Sequence, residues 1–217
     1  QAKKAWYMPE MEKAGADRFL IEQLFRAAVK SDEIVCYYQP KVNTQTGEVL
    51  EMEALARWER PEHGVVPPAM FIPAVKQAGL MNELTKRVLA VAIRQTRKWR
   101  DAGITVQVSV NLSITDFIHE GLTEYVLGAL QENNLPGNAL MLEITETETL
   151  ETSTDVAKNV MHRLTEQGVS LSLDDYGTGN STLERLRAFP FKELKFDRSF
   201  IRGIGHDPNV QDLVKST

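Results

Sequence analysis

Short apolar runs that end on acids or amides alternate along this chain with longer stretches of helical periodicity. Residues 106–113, 140–146, 169–174 and 193–197 have the length and content of buried strands. Helical patterns are expected at 69–79, 82–101, 121–133, 152–167 and 180–187, with another from near Pro208. Strand–helix alternation with short links is the mark of a parallel α/β sheet. Two earlier runs, 35–42 and 49–58, flank a Thr46-Gly47 turn and read as an antiparallel hairpin. Pro61, Gly64, Pro67 and Pro68 then mark a loop, and residues 1–30 form an amphipathic lead-in helix or linker. No Rossmann or P-loop glycine fingerprint appears, and polar strand ends favour a barrel over an open sheet. Eight strands need more chain than this, so roughly two strands of such a barrel are expected to be missing after Asp197.

One of these strands closes on Leu171-Ser-Leu-Asp174-Asp175-Tyr-Gly177-Thr-Gly179. Neighbouring side chains of a strand point to opposite faces, so the two acids cannot serve one site in mid-strand. At a strand end followed by glycines, the backbone can turn and bring both to one rim. Adjacent anions repel, which makes sense if a cation sits between them; a solvated turn with helix-capping acids is the plainer reading.

Three further oxygen donors sit on other strands: Glu53, Asn111 and Glu143. An all-oxygen set suits magnesium or manganese better than zinc, and the spare acids allow two ions, the arrangement that serves in-line phosphoryl displacement. The histidines, His63, His119, His162 and His206, have no metal-ligand spacing and read as surface residues. Lys195 lies two residues before Asp197 on the next strand, where it can neutralise a phosphate, orient water, or simply pair with Asp175. Arg57, four residues beyond Glu53, can reach the same rim and grip a phosphate, or be a solvated hairpin-end arginine. The net charge of −5 argues against a nucleic-acid polymer as partner but allows a small phosphorylated ligand. The lone Cys36 excludes an intramolecular disulfide and reads as core, and no run approaches the roughly 20 apolar residues of a membrane span. A cytoplasmic setting is expected.

Glu53-Ala-Leu55, followed by Ala-Arg57-Trp58, resembles the signature of the EAL-domain cyclic di-GMP phosphodiesterases. The resemblance continues in family order through Tyr38-Gln-Pro40, Phe71-Ile-Pro73, Val108-Ser-Val-Asn-Leu-Ser113, Leu142-Glu-Ile-Thr-Glu146, Asp174-Asp-Tyr-Gly-Thr-Gly179 and Leu194-Lys-Phe-Asp-Arg-Ser-Phe200. It implies a modified TIM (β/α)8 barrel with an antiparallel first strand, lacking its last strands, over 31–217. It implies hydrolysis of cyclic di-GMP to linear pGpG, or binding without cleavage in a receptor. By this resemblance Glu53, Asn111, Glu143 and Asp174 hold a first metal and Asp175 a second. Lys195 holds the catalytic water, Gln39, Leu55 and Arg57 contact substrate, and Glu146 braces a loop used in homodimerisation. Asn180 and Tyr176 depart from the family's usual tyrosine and phenylalanine. The family's later Glu-Gly-Val-Glu and Gln-Gly motifs do not occur in these residues and are expected in chain that follows Thr217. Gln1-Ala-Lys-Lys-Ala5 resembles the end of a GGDEF domain, so a GGDEF or sensory neighbour is expected in the same protein.

Overall fold

The structure is a computed structural model that describes residues 16–61, 64–145, 155–177 and 189–198. The chain divides into two compact units, Gln1–Val108 and Ser109–Thr217.

The first unit contains α1 (Ala16–Lys30), β1 (Ile34–Val42), β2 (Val49–Arg60), β3 (Gly64–Val66), α2 (Pro68–Gln77) and α3 (Met81–Asp101). β1 and β2 pair antiparallel as the turn chemistry demands, with Gln39 opposite Glu53 and Val35 opposite Arg57. The stretch expected to be loop also carries β3, paired with the end of β2. Its two valines complete a sheet edge, and the flanking prolines mark only the limits of that strand. Strand alternation gives the hairpin two different faces. Ile34, Ala54 and Trp58 are buried on one of them. There the Trp58 ring meets Phe25 and Phe71 edge-on at 5.9 and 6.0 Å. Its indole N–H donates to Glu33 Oε2 at 2.9 Å, so the largest core side chain leaves no orphaned donor. α3 forms because Leu84, Val88, Leu89, Ala92 and Ile93 recur at three- and four-residue spacing, and all are buried.

The second unit holds most of β4 (Gln107–Asn111), then α4 (Ile114–Ile118), α5 (Leu122–Glu132), a 3-10 turn (Gly137–Ala139), β5 (Leu140–Thr145), α6 (Asp155–Glu166), β6 (Ser170–Tyr176) and β7 (Glu193–Phe196). β4 lies beside β5, and β5, β6 and β7 pair parallel in that order, as the strand–helix alternation predicts. Leu142 stands beside Leu171 and Ile144 beside Leu173. All four are fully buried, as are Ala157, Met161 and Leu164 on the inner stripe of α6. The intervening positions are polar, and Glu143, Ser172 and Glu193 form one row across three strands. The short α4 has too few residues to show a helical period, although Ser113-Ile-Thr-Asp116 spells a capping box. Ser113 Oγ accepts from the Thr115 N–H, and the Asp116 carboxylate accepts from the Ser113 N–H at 2.9 Å. The helical patterns at 180–187 and beyond Pro208 lie outside the described residues, as do His63 and His206. His119 and His162 are exposed, in keeping with a surface role.

Cys36 faces α3, with its thiol 3.9 Å from the Val88 carbonyl oxygen, and is half-buried rather than full core. Burial pushes the thiol up to about 12. Because the thiolate is the nucleophile, iodoacetamide at about pH 8 is expected to alkylate native Cys36 more than about tenfold slower than the urea-unfolded chain. Equal rates in a stopped-time mass measurement would show the thiol to be open.

Candidate functional site

Gln39, Glu53, Leu55 and Arg57 share the face of the β1–β2 hairpin opposite to the Trp58 core. The cross-strand register sets this: Gln39 pairs with Glu53, and Tyr37 with Leu55, while Arg57 is two residues further along β2. Lys41 and the buried Glu51 continue the same face as an ion pair. A signature that reads as a linear string is therefore, in space, every second residue of one strand plus Gln39 from its neighbour.

In the second unit the charged groups meet. Glu143 sits in mid-β5 with no exposed surface, and its carboxylate would be uncompensated without a cation. Lys195 on β7 supplies one, donating from Nζ to Glu143 Oε2 at 2.6 Å and to Asp174 Oδ2 at 2.8 Å. A pair with Asp175 is one of the readings the sequence leaves open for this lysine; its hydrogen bonds to Glu143 and Asp174 reach the acids of the two preceding strands. Burial alone would depress the Lys195 pKa, but its bonds to Asp174 and Glu143 more than offset that, and it ends above the usual lysine value.

The adjacent acids are placed by a β-bulge. Leu173 pairs with Leu194 and Tyr176 with Phe196, so Asp174 and Asp175 stand opposite the single residue Lys195. Asp175 takes a left-handed backbone, φ 54°, and its N–H donates to Asp174 Oδ1 at 2.9 Å. The bend thus begins at Asp175 itself, before the first glycine, Gly177, which is also left-handed at φ 97°. Burial, followed by the charges of Asp174 and Asp197, raises the Asp175 pKa, and Lys195 opposes the rise. Tyr176 beyond the bulge is buried edge-on against Phe196, 5.6 Å between centroids, which anchors the turn.

Asn111 ends β4 with its side chain exposed, and the next residue, Leu112, donates its N–H to the Glu143 carbonyl oxygen at 2.9 Å. Glu146 lies outside the described residues. Sequence reasoning passes over Ser172 and Glu193, whose side chains bond at 3.2 Å in the row beneath Asp174 and Lys195. Their signal was there: an apolar–polar alternation in strands short enough to be taken for uniformly buried ones. Glu143 and Asp174 converge on one cation, the ammonium, and their carboxylates are hard oxygen donors that could also hold a metal ion.

Two outcomes follow from these charges. Lys195→Met strands the Glu143 carboxylate, so denaturant unfolding is expected to show a loss on the order of 3 kcal/mol. Adding Glu143→Gln should recover part of it, and full additivity of the two losses would mean the pair is not coupled. Asp175 has a raised folded pKa, so its contribution is favourable below the unfolded carboxyl pKa and is lost as pH rises through the folded one. In chelator-treated protein, Asp175→Asn should therefore raise the thermal midpoint at about pH 7, with the gain fading by about pH 3. A gain that does not change with pH would exclude the charge as its cause.

The family model described as EAL domain matches residues 22–217. MucR of Pseudomonas aeruginosa, named a bifunctional diguanylate cyclase/cyclic di-GMP phosphodiesterase, is 38% identical over 192 residues, covering 88% of this chain and 28% of that protein. PdeR of Escherichia coli, named a cyclic di-GMP phosphodiesterase, is 35% identical over 210 residues, covering 97% of this chain and 32% of that protein. The chain thus spans a third or less of these relatives. Among solved structures, that titled PaMucR phosphodiesterase, c-di-GMP complex, superposes with a TM-score of 0.81 at 37% identity, covering 91% of this chain and 80% of that one.

Proposed function

The chain belongs to the EAL domain family, and on that premise we propose that it hydrolyses cyclic di-GMP to linear pGpG with magnesium or manganese. Its α/β fold is the TIM-like barrel type of that family, with β1 antiparallel to β2. The observation that carries the functional reading is the Lys195 ammonium held between Glu143 and Asp174, where a β-bulge adds Asp175. Degenerate sites lose such acids; this chain keeps them, and a non-hydrolysing receptor has no need of all of them.

In this reading Glu53, Asn111, Glu143 and Asp174 hold one cation and Asp175 a second. Divalent cations supply, when bound, charge neutralisation at the phosphodiester and acidification of water. Lys195, with its pKa raised, remains a cation throughout the neutral range. It acts as hydrogen-bond donor to the attacking water and counter-charge to the phosphoryl oxygens, not as a base. Gln39, Leu55 and Arg57 bind the dinucleotide, Arg57 through the planar donors that suit a phosphate. Glu146 braces the loop after Asp175, through which the domain forms homodimers. The lead-in region 1–30 joins it to a GGDEF or sensory domain, a reading supported by the diguanylate cyclase half named in MucR. Among the described residues no helix is long and apolar enough to cross a membrane. The setting proposed is cytoplasmic.

The test is hydrolysis of cyclic di-GMP by the full-length protein with each metal, beside Asp174→Asn. Metal-dependent release of pGpG that falls by about 10²-fold or more in the variant is the expected outcome. Tight binding without product would make the domain a receptor, and neither binding nor product would overturn both readings.

A further inference from the structure

Arg57 is held in place by two contacts within the hairpin itself. Its Nη1 donates to the Ala56 carbonyl oxygen at 2.8 Å, and its guanidinium carbon lies 5.4 Å from the centre of the Tyr37 ring. Tyr37 is tethered in turn, its hydroxyl donating to Glu59 Oε1 at 3.1 Å. The register explains the grouping. Tyr37 lies opposite Leu55, so Arg57 is its diagonal neighbour, and Glu59 is two residues further along the same face of β2. The Glu59 bond, with burial and the Glu59 charge behind it, moves the Tyr37 pKa upward, so the phenol keeps the proton it donates.

A carboxylate and an aromatic ring can each orient a guanidinium, but they leave different parts of it free. A carboxylate takes the in-plane N–H groups, the same edge a phosphate needs. A ring takes the flat face and leaves that edge open. Here the nearby acid, Glu59, accepts from the phenol and the ring lies against the cation, while one N–H on Nη1 is taken by the Ala56 carbonyl oxygen.

We propose that Tyr37 is a positioning residue for Arg57, a ring-and-tether support that aims the guanidinium edge at an anionic oxygen of the bound dinucleotide. The inference rests on the reading of this face as the cyclic di-GMP site. Tyr37 touches no reacting atom in this account; it acts through Arg57 by reducing the orientations the guanidinium samples before substrate arrives. Glu59 acts one step further back, by fixing the ring.

Tyr37 is 46% exposed, so its replacement opens no core cavity. Steady-state hydrolysis of cyclic di-GMP would be measured for the full chain and for Tyr37→Leu, Tyr37→Trp, Tyr37→Phe and Glu59→Gln. The leucine variant should raise KM about two- to fivefold with kcat unchanged. Tryptophan should restore KM, and phenylalanine and Glu59→Gln should fall between. In an Arg57→Ala background, Tyr37→Leu should have no further effect, because its target is gone. A wild-type KM in Tyr37→Leu, or the same fold-change with and without Arg57, would overturn the inference while leaving the hydrolase reading intact. A wild-type chain that neither binds nor cleaves the dinucleotide would defeat the underlying reading and this inference with it.

Discussion

A carboxylate with no exposed surface has to be answered by a cation, and Glu143 is that carboxylate. Its answer, Lys195, lies 52 residues further along the chain, and the same ammonium reaches Asp174 on the strand between them. The three groups meet only if β5, β6 and β7 lie parallel in their observed register, because a shift by one residue would turn each side chain to the helix-covered face. Apolar packing on that other face, Leu142 beside Leu171 and Ile144 beside Leu173, enforces the same register independently. Core and charge cluster are thus two sides of one alternation, and neither can slip without the other.

That coupling also accounts for the bulge. A regular strand would carry Asp174 to the lysine and send Asp175 away to the helices. The extra residue and the left-handed turn at Asp175 release it from the ladder while Asp174 keeps its bond to Lys195. The consequence is two acids side by side, and it is visible in the raised pKa of Asp175. Burial and two like-charged neighbours of this kind favour the neutral carboxyl.

The hairpin of the first unit divides its faces in the same way by different means. One face of β1 and β2 is given to the Trp58 core, and the other is left to Gln39, Glu53, Leu55 and Arg57. There the ordering device is an aromatic face beside a guanidinium instead of a salt bridge. The two cations are held differently: Lys195 compensates a buried acid, whereas Arg57 lies beside an aromatic ring and a backbone carbonyl oxygen.

Much of this was written in the sequence by itself. Period-two and period-3.6 patterns with short links determined an α/β chain opening on a hairpin, and the strings around Glu53, Asn111, Glu143, Asp174 and Lys195 determined the family and the candidate residues. Such features are local, set by neighbours within a turn or a strand, and so can be read along one dimension. The tertiary structure decided what depends on strands far apart in sequence: that Lys195 answers Glu143 and Asp174, that Ser172 and Glu193 continue a polar row beneath them, and that Tyr37 lies against Arg57. It also decided that the chain bends at Asp175 and not first at the glycines, because the bulge exists only against the register of β7. A strand carries its alternation in its own residues, but its register belongs to its neighbour.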